Sequence, residues 1–134
     1  ALDNSQLHDM VLFMAAKTKK RKQIKFPPQP AIEDRPLISD QQAAALTRLF
    51  KVFSNDTRLR LLHALVREEE LCVSELGEAV GMKPQAVSNQ LQRLVDRGIV
   101  GSRRNGVNMY YRVIDPCVSV LLERGLCLID CCPE

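Results

Sequence analysis

The chain has little of what enzymes, membrane proteins and secreted proteins use. It carries two histidines among 134 residues, and no histidine, acid and nucleophile fall into the pattern of a catalytic site. A glycine-rich phosphate loop is absent as well, so we expect no enzymatic activity. No apolar run reaches the roughly 18 residues that cross a bilayer, and residues 1–16 lack the charged segment of a secretory signal. We therefore expect neither a membrane span nor secretion.

Excess charge and paired cysteines are also scarce. The formal net charge is only +3, so any affinity for nucleic acid must come from a local basic patch. The five cysteines are an odd number, in a chain without a sign of secretion. We interpret them as thiols or metal ligands, because stable disulfide frameworks belong to oxidising compartments.

Composition divides the chain into three segments. Residues 1–37 combine a basic run at 17–25 with a proline-rich stretch, which predicts a flexible arm and linker. The basic run fits either a solvated charge run or an arm that contacts DNA. Residues 38–130 carry the periodic apolar patterns of one folded domain, and residues 131–134 form a short tail with cysteines.

The stretch VGMKPQAVSNQLQRL at residues 80–94 is the most informative part of the chain. Gly81 indicates a turn after one helix, and Pro84 begins the next helix, where its missing N–H has no cost. Apolar residues then recur at helical spacing, and the opposite face is polar. This is the pattern of a helix-turn-helix, which places its second helix in the major groove of DNA. The side chains that we expect to contact bases or phosphates are Lys83, Gln85, Ser88, Asn89, Gln92 and Arg93.

A β-hairpin follows directly after this second helix. Residues 99–104 and 108–113 read as two strands, and Asn105-Gly106 between them is a strong signal for a hairpin turn. Arg103 and Arg104 make the tip basic, so we expect them to follow phosphates or a minor groove. The sequence therefore predicts a winged helix-turn-helix, mainly α with a β-hairpin wing.

Amphipathic patterns predict the remaining helices. Three of them are expected at residues 41–53, 57–67 and 75–80, with caps at Ser39-Asp40, Asn55-Asp56 and Ser74. In the second of these helices, we expect Leu59, Leu62, Leu65 and Val66 to face inward. A last helix begins at Asp115-Pro116 and runs to Cys127 or beyond.

Four stretches recur in an order and spacing known from one bacterial family. They are FSNDTRLRLL at 53–62, ELCVSEL at 70–76, AVSNQL at 86–91 and GVNMYYR at 106–112. Together they closely resemble the ArsR/SmtB family of metal-responsive winged-helix repressors, over residues 41–127. The resemblance implies a cytoplasmic homodimer whose first and last helices pair across a two-fold axis. It also implies that the dimer binds a palindromic double-stranded operator and that an effector lowers this affinity.

Cys72 stands where many members of this family carry a thiolate ligand. Members that sense arsenic, cadmium or lead often have Leu-Cys-Val-Cys here, whereas this chain has Leu-Cys-Val-Ser at 71–74. Serine is a poor ligand for soft ions, so this site is incomplete. Cys72 therefore fits a buried small side chain as well as a ligand.

The last helix carries more candidate ligands. Zinc-sensing members have Asp-x-His at its start, where this chain has Asp115 and Cys117, and Leu128 replaces a second family histidine. Cys127 and Cys131 are four residues apart and would share one helix face. In an antiparallel helix pair they would meet Asp115 and Cys117 of the partner subunit. The resemblance thus implies a two-subunit site for Zn²⁺, Cd²⁺, Pb²⁺, As(III) or Cu(I), with the candidate ligands Asp115, Cys117, Cys127, Cys131, Cys132 and Cys72.

Three other interpretations stay open. The cysteines of the last helix fit the packing of a dimer interface, without a ligand. A disulfide or persulfide of Cys131 with Cys132, or of Cys117 with a tail cysteine, would make a redox or reactive-sulfur sensor. A winged helix that binds another protein and has no operator is the third interpretation, and the polar face of the second helix argues against it.

Overall fold

The computed structural model describes residues 28–131, so Cys132 and most of the predicted arm lie outside the described residues. In chain order the elements are a 3₁₀ turn at Ile32–Asp34, α1 at Asp40–Phe53, α2 at Asp56–Glu68, β1 at Leu71–Cys72, α3 at Val73–Val80, α4 at Pro84–Asp96, β2 at Val100–Asn105, β3 at Asn108–Val113 and α5 at Cys117–Cys131. The strands form an antiparallel sheet of order β1-β3-β2. A helix-turn-helix followed by a wing confirms the predicted fold. None of the helices in this part of the chain is long and apolar enough to span a bilayer.

The caps predicted for the first two helices are confirmed. At the start of α1, Ser39 Oγ accepts the Gln42 backbone N–H at 3.2 Å, and Gln42 Oε1 accepts the Ser39 N–H at 2.9 Å. At the start of α2, Asn55 Oδ1 accepts the backbone N–H of Arg58 at 3.0 Å. Each cap satisfies backbone donors that have no partner inside the helix, which explains why both helices begin where they do.

The start of α3 differs from the prediction, which placed the cap at Ser74. The helix begins at Val73, and Cys72 occupies the capping position without a side-chain hydrogen bond. The cause is β1, which pairs with Tyr110 and Tyr111 of β3. This pairing holds the backbone extended up to the first helical residue. A two-residue strand with a distant partner leaves no periodic signal in the sequence.

The turn of the wing lies one residue further along than predicted. The strands pair as far as Asn105 and Asn108, so the loop consists of Gly106 and Val107 rather than Asn105 and Gly106. Gly106 has a φ of 63°. Glycine with positive φ at the first loop position is the arrangement of a type II′ hairpin turn, which matches the twist of the two strands.

The core lies between α2, α3, α4 and the sheet. Leu62 and Leu65 are buried as predicted, and Val66 is half-buried. The prediction for Leu59 is wrong, because this side chain is 36% exposed and Leu61 is fully buried instead. Two residues advance about 200° around a helix, so Leu59 and Leu61 point to opposite sides. The largest fully buried side chains are Leu61, Leu62, Leu65, Leu76, Leu91, Leu94, Val87 and Val100.

The helices α1 and α5 expose apolar side chains in the single chain. On α1, Leu46, Leu49 and Phe50 lie on the predicted apolar side but are open to solvent. On α5, the exposed apolar residues are Leu121, Leu126, Leu128 and Ile129. Exposed apolar surface of this kind is typical of sites where a protein contacts a partner.

The turn between α3 and α4 brings two backbone segments into close contact. Gly81 follows α3 with a left-handed φ of 71°, and the Met82 N–H donates to the Gly77 carbonyl at 2.9 Å. A Cβ atom at Gly77 would stand 2.6 Å from the carbonyl oxygen of Met82. The turn therefore requires glycine at position 77 for a steric reason.

Substitution of Gly77 tests this contact. Gly77→Ala should destabilise the protein by about 1–3 kcal/mol, because the added methyl group meets backbone that cannot move without opening the turn. Helix propensity alone would instead stabilise the protein by about 0.5–1 kcal/mol. Urea unfolding followed by circular dichroism measures the difference. Ala79→Gly, at an exposed position of the same helix, calibrates propensity. A more stable Gly77→Ala variant would contradict the steric argument.

Candidate nucleic-acid interface and thiol cluster

The polar face of α4 is open to solvent. Gln85 Nε2 donates to Asn89 Oδ1 at 3.1 Å, and Gln92 Nε2 donates to Asp96 Oδ1 at 2.7 Å. These bonds hold the side chains along the helix and leave further amide donors and acceptors for base edges. Packing of Val87 and Leu91 in the core fixes which face points outward. On α4 the predicted residues are exposed or half-buried, namely Gln85, Ser88, Asn89, Gln92 and Arg93, and Lys83 is exposed at the capping position just before the helix.

The two arginines of the wing have different surroundings. Arg103 Nε donates to both carboxylate oxygens of Glu70, at 3.0 Å each. Its guanidinium also stands 5.1 Å from the ring centre of Tyr110. Within residues 28–131 no comparable partner is found for the exposed Arg104. Arg104 is therefore available for a phosphate, whereas Arg103 ties the wing to the loop after α2.

Arg103 and Glu70 are both charged at neutral pH and form an ion pair. The hydrogen bond from Arg103 lowers the pKa of Glu70, and the same bond raises the pKa of Arg103. Because both groups face solvent, the pair fixes geometry and contributes little to stability. In the sequence, Glu70 stands out only as part of an acidic helix end. The hairpin register indicates that Arg103 lies opposite Tyr110, but the contact with Glu70 depends on β1.

Cys72 is buried and has a local partner. Its Sγ lies 3.0 Å from Oε1 of Glu75, one turn further along α3. Ser74, which replaces the second thiolate of the resembled metal site, is exposed. The structure thus buries Cys72 as a small core side chain and places no second thiol beside it within the described part of the chain.

The helix α5 continues to Cys131 and brings two thiols onto one exposed face. The Sγ atoms of Cys127 and Cys131 are 3.7 Å apart. Two sulfur ligands at about 2.3 Å from a tetrahedral ion stand about 3.8 Å apart, so this pair already has the spacing of a chelate. The predicted helical juxtaposition of these two cysteines is present in the structure, and Cys132 lies outside the described residues.

Cys117 lies at the opposite end of α5. Its backbone N–H donates to Asp115 Oδ1 at 2.9 Å, so Asp115 caps this helix. Cys117 is exposed, but neighbouring protein atoms partly desolvate its thiol and raise its pKa; the charge of Asp115 and a hydrogen bond to it raise that pKa further. The helix rises about 15 Å between Cys117 and Cys127, too far for one ion to bind both in a single chain. Correspondingly, residues 28–131 contain no group of three candidate ligands.

Comparisons with known proteins identify the family. The family model for bacterial regulatory proteins of the arsR family matches residues 55–102. The cadmium resistance transcriptional regulatory protein CadC of Listeria innocua is 32% identical over 82 residues, which are 61% of this chain and 69% of CadC. The chain belongs to the ArsR family. It is thus a member of a family of bacterial transcriptional regulators.

Two solved structures of ArsR-family regulators extend this result. The antimony-specific transcriptional repressor AntR is 57% identical, with a TM-score of 0.69, and the match covers 79% of this chain and 96% of AntR. A homodimeric winged helix-turn-helix DNA-binding domain from Mycobacterium bovis is 32% identical, with a TM-score of 0.61, over 75% of this chain and 94% of the domain. The family model ends within β2, so the cysteines of α5 lie beyond it.

The division of roles between the wing arginines is testable on DNA. Arg104→Gln should weaken binding and lower the slope of log affinity against log salt by about one for each bound subunit, because the DNA keeps about one counterion for each phosphate contact that is lost. Arg103→Gln should change this slope less, since Glu70 already holds Arg103. Fluorescence anisotropy with a DNA site selected from a random library measures both slopes. A larger loss for Arg103→Gln than for Arg104→Gln would contradict the assignment.

Proposed function

We propose that this ArsR-family protein is a repressor that leaves its operator when a soft metal or metalloid ion binds thiolates of α5. The observation that carries the proposal is the exposed pair of Cys127 and Cys131, with sulfur atoms 3.7 Å apart. Soft ions prefer thiolates, and this spacing fits two ligands of one ion. The fold supplies the DNA-binding part of the same activity.

Operator binding uses the polar face of α4 and the wing. The amide and hydroxyl groups of Gln85, Ser88, Asn89 and Gln92 face outward, where they read base edges in the major groove. Lys83, Arg93 and Arg104 add positive charge around this face and hold phosphates. Since the net charge of the chain is only +3, this local patch provides the electrostatic attraction to double-stranded DNA.

A homodimer completes both activities. The apolar side chains of α1 and α5 that stay exposed in one chain form its interface, and the related domain from Mycobacterium bovis is homodimeric. An antiparallel arrangement of two α5 helices places Asp115 and Cys117 of one subunit near Cys127 and Cys131 of the other. The dimer thereby overcomes the separation of about 15 Å along a single helix.

The ligand set favours a soft ion. The pair on α5 consists of thiols, with Leu128 exposed beside them where zinc-sensing members carry histidine. The names of CadC and AntR associate related repressors with cadmium and antimony. We infer that Cd²⁺, Pb²⁺ or a trivalent metalloid binds here. Zn²⁺ or Cu(I) binds only if thiolates, without a histidine, are sufficient ligands for that ion.

The protein residues couple this binding to release of DNA. Cys127 and Cys131 would hold the ion as thiolates, after loss of their protons, and ligands from both subunits would fix the relative positions of the two α5 helices. Because α5 forms part of the dimer interface, fixing it favours one relative orientation of the recognition helices. An orientation that does not match two successive major grooves lowers the affinity for the operator, as a shift between two populations.

The sulfur pair also supports a second candidate function. Oxidation of Cys127 and Cys131 to a disulfide, or their conversion to persulfides, changes the same surface of α5. A repressor of this kind responds to an oxidant or a reactive sulfur donor and not to metals. A winged helix that only binds protein would recognise no operator, and the exposed amides of α4 argue against that function.

Cysteine substitutions test the proposed site. Under anaerobic and reducing conditions, Cd²⁺ should lower the operator affinity of the parent by about 5- to 150-fold, the usual range of allosteric coupling. Cys127→Ser, Cys131→Ser and Cys117→Ser should bind operator normally and lose most of this response. Cys72→Ser is the matched control and should keep the response, because Cys72 is buried away from a second thiol. Fluorescence anisotropy measures all of these affinities.

The outcomes of the same assay separate the candidates. Full release of the Cys117→Ser variant by Cd²⁺ would contradict the two-subunit site. A parent that ignores Cd²⁺, Pb²⁺ and trivalent arsenic or antimony, but leaves DNA after a thiol oxidant or persulfide donor, would support the redox function instead. A protein that selects no DNA sequence would contradict both functions and leave the protein-interaction module.

A further inference from the structure

Arg58 is the charged side chain that the fold buries. It is 8% exposed, and no other charged residue within residues 28–131 is buried. Its backbone lies in the first turn of α2, where Asn55 caps its N–H. Burial of a guanidinium is costly unless its donors are paired. The hydrogen-bond partners of the guanidinium therefore show what Arg58 does in the fold.

Two of the bonds complete the end of α1. The last carbonyls of a helix have no partner inside it, and at α1 the oxygens of Phe50 and Phe53 accept the backbone N–H groups of Ser54 and Asn55. The two carbonyls between them turn to Arg58. Its Nε donates to the Val52 oxygen at 2.6 Å, and its Nη2 donates to the Lys51 oxygen at 3.3 Å.

The third bond reaches the recognition helix. Arg58 Nη1 donates to Oε1 of Gln90 on α4 at 3.1 Å. Gln90 is half-buried and lies at the border between the core face and the polar face of α4, one turn before Arg93. A guanidinium is planar and rigid, so its donors keep a fixed mutual geometry. One side chain thus ties the last turn of α1 to α4.

We infer that Arg58, acting through Gln90, is the positioning residue that sets the distance between the two recognition helices of the dimer. The inference rests on the proposed operator-binding dimer and does not depend on the inducing ion. In this dimer α1 contributes to the interface, and α4 reads DNA. Because Arg58 bonds both the end of α1 and Gln90 of α4, the position of α4 depends on the geometry of the interface. The positions of the two α4 helices set the spacing of the half-sites, which helix-turn-helix dimers place one helical turn of DNA apart.

The experiment compares operator spacings in the absence of metal. Arg58 is left in place, since its removal would leave the α1 carbonyls unpaired. Gln90→Met removes the acceptor and keeps the size of the side chain. The probes are the selected operator, the same operator with one added base pair, which separates the half-sites by about 3.4 Å, and a single half-site. Anisotropy gives the affinity of each variant for each probe.

The parent should prefer the natural spacing, and Gln90→Met should reduce this preference by about tenfold, the effect of one hydrogen bond to a charged group. Affinity for the half-site should stay unchanged, because Gln90 is not among the predicted DNA contacts and its Oε1 accepts from Arg58. The separate variant Gln90→Glu keeps an acceptor for Arg58 and should show the parent's preference for the natural spacing. Arg60→Met is the matched control, since Arg60 Nη1 donates to the Val80 carbonyl at 3.1 Å and does not reach α1; it should retain the preference.

Three results would overturn the inference. If Gln90→Met keeps the full spacing preference, the bond does not set the distance between the helices. If it weakens the half-site and the full operator equally, Gln90 only supports the fold. A parent without any preference for a two-half-site operator overturns the proposed dimer itself, and the inference with it, so the two failures are distinguishable.

Discussion

The buried guanidinium of Arg58 determines how α1 is connected to α4. Arg58 satisfies the open carbonyls at the end of α1 and reaches Gln90 on α4, so its charge is compensated by neutral oxygens and by the negative end of a helix dipole. The orientation of α4 follows from this contact and from the apolar packing of Val87, Leu91 and Leu94. That orientation decides which polar side chains face outward, and hence which surface is available to DNA.

The proposed response to an effector depends on a different helix, α5. Along α5, Cys127 and Cys131 already stand at chelating distance, whereas Cys117 is about 15 Å away along the same helix. In the proposed function, one chain therefore supplies half of a site at each end of α5. In the proposed dimer, a second chain covers the apolar residues between these ends. The proposed function thus uses the same helix for ligand binding and for the dimer interface, so that binding can change the geometry of the dimer.

Local signals in the sequence were sufficient for most of the architecture. The capping box at Ser39, the cap at Asn55 and the glycine turn at Gly81 each act within a few residues, and each is present in the structure. The helical spacing of Cys127 and Cys131 similarly predicted two neighbouring thiols. For these two thiols, the periodicity of a helix alone fixes which side chains meet.

Contacts between distant parts of the chain were not predictable in this way. The strand β1 exists because Tyr110 and Tyr111 pair with it, and this pairing shifted the start of α3. The bond of Arg103 to Glu70 depends on the same strand. Arg58 lies in a leucine-rich helix and gave no signal of its own, since its partners are backbone carbonyls and a glutamine 32 residues away.

The most direct test of the proposed function is the coordination of a bound soft ion. Cadmium-edge X-ray absorption on the reduced protein, loaded with one equivalent of Cd²⁺ per site, reports the atoms in its first shell. The account predicts stoichiometric binding with a shell dominated by sulfur, and loss of sulfur scatterers in Cys127→Ser. A shell of only oxygen and nitrogen, or no stoichiometric binding, would contradict the assignment of α5 as the sensing element.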